Sequence, residues 1–392
     1  MKRSYFLTQK QAYILIGFIS MVGLLTMVGF GLRKMVLRSS SNVRTIEMNS
    51  SQTVIEPEIE TEQPIEIHTA IPEEVRGIYW TSQTAGSKRA DELLSYMKLQ
   101  KLNTVVIDVK TDDGQITFLP KDQTLIPYIQ KKLTIPDLDG LLIRLKNDGI
   151  YRIARIAVMR DGMFATVHPD IALKTANGNF WKDSIGSIWV DPSSPQVAEY
   201  AISLAREAYA RGFDEVQFDY IRFASDGKIS TIRYPIYKND GTKVAVMQNF
   251  FQIVGDAMKQ SNIPISFDVF GMTFWSDDDF NIGQRLQDVF PNASFVSPMV
   301  YPSHYPNGFE GFENPALFPY EIVKRSLDKG TEQLLPTWTE GESALRKHFR
   351  PWLQAFNIGA VYTQKDIEAQ IKAARDAGAS GWIFWNARNV YE

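Results

Sequence analysis

The chain has 392 residues, 42 Lys and Arg against 45 Asp and Glu, and a net charge of −3, so no basic excess draws it to nucleic acid. It contains no cysteine, which excludes a disulfide framework and a thiolate metal site. Its four histidines, His68, His168, His304 and His348, fall at no metal-ligand spacing, so neither a metal nor another cofactor is expected.

In chain order, residues 1–10 form a short tail, and Gln11 to Leu32 is a run of 22 uncharged residues rich in Ile, Leu, Val, Met, Phe and Gly. A helix of that length crosses a hydrocarbon core of about 30 Å, so residues 11–32 read as a transmembrane anchor. A cleaved signal peptide is the rival reading, but Val28 to Leu32 offers only a poor small-x-small cleavage site. Lys2, Arg3 and Lys10 precede the run while Arg33, Lys34, Arg38 and Arg44 follow it, so charge alone does not orient it. The short tail ahead of a large C-terminal domain favours a signal anchor, which gives a single-pass protein of the cell membrane with its folded domain outside the cytoplasm. Residues 33–72 read as a flexible acidic linker, because its Glu residues repel one another and Pro57, Pro64 and Pro72 block regular structure.

Residues 73–392 alternate short apolar runs with helical periodicity. Predicted strands cover Val75 to Trp80, Thr104 to Lys110, Arg152 to Met159, Glu215 to Phe223, Ile265 to Phe270, Phe295 to Tyr301, Phe349 to Gln354 and Trp382 to Asn386. Helical patterns lie between most of them, as in Val197 to Arg211 and Lys365 to Gly378, the latter closing on a glycine suited to a helix C-terminus. Eight strands alternating with helices predict an α/β fold of the (β/α)8 TIM-barrel type rather than a doubly wound sheet. No glycine-rich phosphate loop follows the first strand.

The segment GFDEVQFDYIRF, Gly212 to Phe223, breaks the apolar rule of a helix-covered parallel strand. Counted by twos, Val216, Phe218 and Tyr220 share one face, and Glu215, Gln217 and Asp219 the other, which predicts a polar face turned into the lumen. The same count turns Asp108 and Lys110 inward on strand two, Arg155 on strand three and Asp268 on strand five. Strand ends add Arg160 and Asp161, Tyr301 to His304, Gln354, Trp385 and Asn386, all expected at one mouth.

Acids, amides and aromatics gathered at one mouth are what a sugar site requires, since carboxylates do the chemistry, amides bind hydroxyls and rings stack on pyranose faces. Asp219 and Asp268 are the expected catalytic pair, with Asp108 and Asp161 as alternative acid/base groups. Lys110, Arg155, Asp161, Gln217, Arg222, Tyr301, His304, Trp352, Gln354, Trp385 and Asn386 are the expected substrate contacts. Competing structural readings have Arg222 or a backbone amide holding Asp219, Lys110 neutralising Asp108, and Arg155 pairing with a lumen carboxylate.

Nine blocks carry a family resemblance: RGIYWTS at Arg76, NTVVIDVKTDDG at Asn103, ARIAVMRDG at Ala154, HPDIALKTANGNFWKD at His168, WVDPSSPQVAEY at Trp189, GFDEVQFDYIRF at Gly212, SPMVYPSHY at Ser297, RPWLQAF at Arg350 and GWIFWNARNVY at Gly381. Together they resemble a bacterial family of glycoside-hydrolase-like TIM-barrel proteins, long catalogued as a domain of unknown function. Ala224 stands where the family pattern expects proline, and Ala355 where it expects an acid, so strand seven supplies no carboxylate. Barrel glycosidases with an aspartate nucleophile on strand four and the acid on strand five are similar, which casts Asp219 as nucleophile and Asp268 as acid/base. The expected activity is two-carboxylate hydrolysis of an extracellular or cell-envelope polysaccharide. A noncatalytic glycan-binding or envelope-organising protein on a degenerate barrel is the alternative from another class, and a transglycosylase is a third.

Overall fold

The computed structural model describes residues 67–238 and 241–391. The anchor read at 11–32 and all but the last residues of the linker read at 33–72 lie outside the described residues. Among the described residues no helix is long and apolar enough to cross a membrane.

Eight parallel strands close into one barrel: β1 (Val75–Trp80), β2 (Thr104–Lys110), β3 (Tyr151–Ala157), β4 (Glu215–Asp219), β5 (Ile265–Phe270), β6 (Phe295–Met299), β7 (Trp352–Gln354) and β8 (Gly381–Trp385), in sequential order with β8 returning to β1. The longer helices between them are α1 (Arg89–Leu99), α2 (Leu138–Asn147), α3 (Pro195–Arg211), α4 (Lys243–Gln260), α5 (Pro319–Leu334) and α6 (Gln364–Asp376). This is the expected (β/α)8 architecture, with each expected strand overlapping an observed one. β3, β4, β6 and β7 are shorter than their sequence patterns, the second and the last of them for local reasons. β4 stops at Asp219 because Tyr220 adopts φ +53°, and β7 starts at Trp352 because Pro351 has no N–H for the ladder.

Side-chain alternation sorts the barrel into two apolar bodies. Val105, Ile107, Val216, Phe218, Ile265 and Phe267 point outward and join Leu93, Met97, Leu141, Leu204 and Phe251 of the helices in one continuous core. Each such side chain taken fully out of water contributes about 1.5–3 kcal/mol. Val75, Tyr79, Val106, Tyr151, Ile153, Tyr301, Trp352 and Ile383 form a separate cluster inside the lumen. Gly381 closes the seam between β8 and β1: a Cβ there would sit 2.2 Å from the Val75 carbonyl oxygen, and its φ of +146° suits glycine alone. Gly212, in the left-handed conformation, ends α3 and delivers the chain into β4.

Polar contacts mark the two ends. At the N-terminal rim Arg152 and Asp214 pair at 2.6 Å, and the incoming chain is tied to them by Thr69 N–H to Asp214 and by Arg152 to the Ile67 carbonyl. Just inside, Glu215 is wholly buried and accepts from Arg350, Tyr151 and Ser266. At the C-terminal rim residues 158–194 leave the barrel between β3 and α3, held together by short antiparallel bridges such as Arg160 with Trp189 and Lys174 with Phe180.

Candidate active site

The register of the strands builds the mouth. β2 sets Asp108 opposite Arg155 of β3, and β3 sets Ala157 opposite Asp219 of β4, so one arginine stands between two aspartates. Arg155 donates from Nη1 to Asp108 at 2.6 Å, and from Nη2 and Nε to Asp219 at 2.6 and 3.1 Å. Asp112, on the turn after β2, lies 3.5 Å from the same guanidinium. Burial works against the Arg155 charge, but Asp108, Asp219 and Asp112 outweigh it and hold the guanidinium protonated well beyond its ordinary range.

The carboxyls differ in their surroundings. Asp219 is 13% exposed and accepts a third N–H, from Tyr220, at 2.6 Å. The positive φ of Tyr220 that brings this amide round is a left-handed conformation a non-glycine residue seldom adopts, and it falls at the mouth itself. Asp108 accepts the Tyr79 hydroxyl as well as Arg155, yet burial, opposed by Arg155, pushes its pKa up to about 6. Asp268, 1% exposed on β5, is pushed well above the carboxylate range, first by burial and then by the Asp219 charge. Among the described residues its one direct donor is Trp352 Nε1 at 2.8 Å. Several acids face one arginine in a dry lumen, and Asp108 and Asp268 are the two whose carboxyls are pushed up.

Aromatic rings floor and wall this cluster. Tyr79 stacks on Trp385 with centroids 4.1 Å apart, Trp385 meets Trp352 edge-on at 5.5 Å, and Arg155 lies 5.2 Å from the Trp385 ring. Trp385 keeps partial exposure, so its free surface is available to a ligand. Buried Tyr301 packs against His304 and Phe356. Burial lowers the His304 pKa to about 4, which leaves the imidazole neutral.

Other expected contacts sit elsewhere or are already engaged. Lys110 does not neutralise Asp108: a register shift between them turns Lys110 onto Asp161 at 2.7 Å, each 1% exposed, and Asp161 also caps the short helix Gly162–Val167 through Phe164 N–H. Arg222 does not hold Asp219 by a hydrogen bond. It donates to Phe223 O and Ser225 Oγ and lies against Phe270, Trp189 and Tyr220, with its pKa lowered by burial. Gln217 lies a layer deeper, wholly buried, donating to Ser297 Oγ at 3.1 Å. Gln354 pins the loop after β6 by accepting from Ser303 N–H and donating to Phe356 O, and Asn386 donates to Val390 O. Trp80, Trp181 and Trp189 are core residues.

Two residues of the cluster escaped the sequence reading. Tyr79 was legible, because the two-residue count from Val75 turns it inward. Asp112 was not, since it lies beyond the strand, where alternation no longer applies; it joins the site through Arg155 and through Arg160 at 3.1 Å. Among the described residues no group of three or more His, Asp or Glu is arranged to hold a metal.

None of the curated proteins matches the chain. Among solved structures, the glycoside hydrolase domain of PgaB (BpsB) from Bordetella bronchiseptica is 12% identical over 80% of this chain and 94% of its own, with a TM-score of 0.55, which shows a shared fold. A hypothetical protein from Ruminiclostridium thermocellum is 28% identical over 49% of this chain and 97% of its own, with a TM-score of 0.43. The spore cortex-lytic enzyme SleL from Bacillus megaterium is 12% identical over 83% of this chain and 72% of its own, with a TM-score of 0.46. The family model described as "Putative glycosyl hydrolase domain" matches residues 77–391, from the first strand of the barrel to its end, and the chain belongs to that family.

Proposed function

We propose that the barrel hydrolyses glycosidic bonds of an extracellular or cell-envelope polysaccharide, tethered to the membrane through residues 11–32. The observation that carries the reading is the contrast between two neighbouring acids. Asp219 accepts from three N–H donors, while Asp268 is buried and pushed well above the carboxylate range. Paired carboxyls driven apart in protonation are the working parts of a glycosidase. Asp219 attacks the anomeric carbon as Asp268 gives its proton to the departing glycosidic oxygen. Water then attacks the same carbon, Asp268 takes a proton from it, and the sugar–Asp219 ester bond breaks. Arg155 positions Asp219, and the partly exposed Trp385 ring supplies an aromatic contact for a pyranose. Lys110 and Asp161 support the rim from beneath, each answering the other's charge.

A noncatalytic glycan-binding role draws on one observation: Arg155 engages Asp219 through two hydrogen bonds, as in a structural ion pair. Turnover separates the two readings. With the full chain assayed against aryl glycosides and envelope polysaccharides, Asp219→Asn should lower kcat at least about a thousandfold. Asp268→Asn should lose least on substrates whose leaving groups need no proton. A wild-type chain that binds such glycans and releases no reducing ends would overturn the hydrolase assignment, and an Asp219→Asn variant of full activity would overturn the nucleophile.

A further inference from the structure

A second polar cleft of about 550 Å³ opens on the excursion between β3 and α3, walled by Asn177, Asn179, Phe180, Lys182, Lys228 and Thr231. Its polar walls offer amides and a hydroxyl, Phe180 offers a ring, and the two lysines are exposed. The lysines have no carboxylate partner among the described residues, and the neighbouring Lys174 and Arg233 add two more cations without an ion pair. Lys174 instead sits 3.9 Å above the Phe180 ring. On a chain of net charge −3 this is a local reversal of sign.

The carboxylate in the wall is spent. Asp183 accepts from Ser187 N–H and Ile185 N–H on one oxygen and from Trp189 Nε1 on the other, pairs with Arg160 at 3.2 Å, and exposes 1% of its side chain. Asp226, beside Gly227 on the opposite lip, acts on the buried Arg222. The wall is also the partition between cleft and mouth: Asp183 holds Arg160, Arg160 holds Asp112 at 3.1 Å, and Asp112 faces Arg155 at 3.5 Å. Three ion pairs thus connect the wall of the cleft to the acids of the mouth.

We propose that this cleft is a remote subsite for an anionic saccharide unit, with Lys182 and Lys228 meeting its carboxylate or phosphate and Asn177 and Asn179 its hydroxyls. The inference rests on the reading of the barrel as a glycan-processing protein, and it narrows the substrate to a polysaccharide that carries negative charge on units away from the cleaved bond. Exposed lysines confer charge selection more than raw affinity, and their effect fades with salt.

Affinity electrophoresis of the full chain through gels containing polygalacturonate, poly(glycerol phosphate) or dextran reads binding without turnover. Retardation by at least one anionic polymer, about tenfold weaker in the Lys182→Ala/Lys228→Ala double variant and largely kept by Lys182→Arg/Lys228→Arg, is the expected result. The polymer retarded more tells whether carboxylate or phosphate is the ligand. Equal retardation by dextran, or a double-alanine variant that migrates as wild type in the anionic gels, would overturn the subsite. A wild-type chain that shows the selective retardation yet cleaves no glycan breaks the hydrolase assignment and supports the subsite.

Discussion

Two acids hang from the same strand, β4, one at each end, and they are held in opposite ways. At the base, Glu215 accepts from Arg350 at 2.9 and 2.8 Å, from Ser266 at 2.7 Å and from Tyr151 at 3.1 Å. One acid meets one base and two hydroxyls, so the charges balance. At the mouth, Asp219 shares a single arginine with Asp108, and Asp268 feels Asp219 and Arg155 through space. Acids outnumber bases there, burial pushes the Asp108 and Asp268 carboxyls up, and the backbone at Tyr220 is bent into a left-handed turn besides. Burial of charge thus marks nothing by itself; an uncompensated excess of one sign at an open barrel end is what singles out chemistry.

Exchanging one oxygen for nitrogen at each end should separate activity from stability. Asp219→Asn removes charge from a crowded acid cluster, so its melting temperature should stay within a few degrees while turnover falls at least about a thousandfold. Glu215→Gln strands the Arg350 guanidinium in a dry base, and breaking such a pair costs about 3–5 kcal/mol, read as a large drop in urea midpoint. Should Asp219→Asn unfold the domain and Glu215→Gln leave it intact, the structural and functional ends of β4 would have to be interchanged.

That the two ends differ was only half legible in the sequence. Alternation placed Glu215, Gln217 and Asp219 on one polar face and turned Asp108, Arg155 and Asp268 inward, because a strand admits only two directions for a side chain. It did not say which partner meets which acid. Arg350 precedes β7 by two residues and is 135 residues from Glu215, and Arg155 reaches Asp219 across 64, contacts fixed by barrel closure and register rather than by local pattern. Lys110 illustrates the limit: the count put it on the face of Asp108, and one register shift sent it to Asp161 instead. Gln354 and Asn386 were read at their correct strand ends, yet their amides were free to serve a ligand or a loop carbonyl, and sequence cannot choose between them.

Imbalance at the mouth should also show as a pH dependence of stability. The Asp108 pKa rises from its ordinary value of 3.8 to about 6 on folding, so between those limits the folded chain holds a proton that the unfolded chain has released. Stability from this group is therefore greatest below pH 4, falls as pH rises toward 6 and is level above it, a loss on the order of 3 kcal/mol. Asp108→Asn should remove that slope, so urea titrations at pH 4, 5, 6 and 7 should give a wild-type-minus-variant difference that changes across this interval. A constant difference would mean that Arg155 keeps Asp108 ionised throughout and that the mouth is as well compensated as the base.

The smallest expected effect compares two serines that face the lumen on adjoining strands. Ser266 on β5 donates to the charged Glu215 at 2.7 Å, whereas Ser297 on β6 accepts from the neutral Gln217 at 3.1 Å, and both hydroxyls are wholly buried. A hydrogen bond to a charged group contributes about 1.5–3 kcal/mol, and one between neutral groups about 0.5–1.5 kcal/mol. Ser266→Ala should therefore lower stability by about 2 kcal/mol and Ser297→Ala by about 1 kcal/mol, with no change of fold, since each removes one oxygen from a packed layer. Thermal unfolding of the two variants side by side measures the gap. If Ser297→Ala proves the costlier, the neutral middle layer, and not the ion pair beneath it, is the rigid floor on which Asp219 and Asp268 stand.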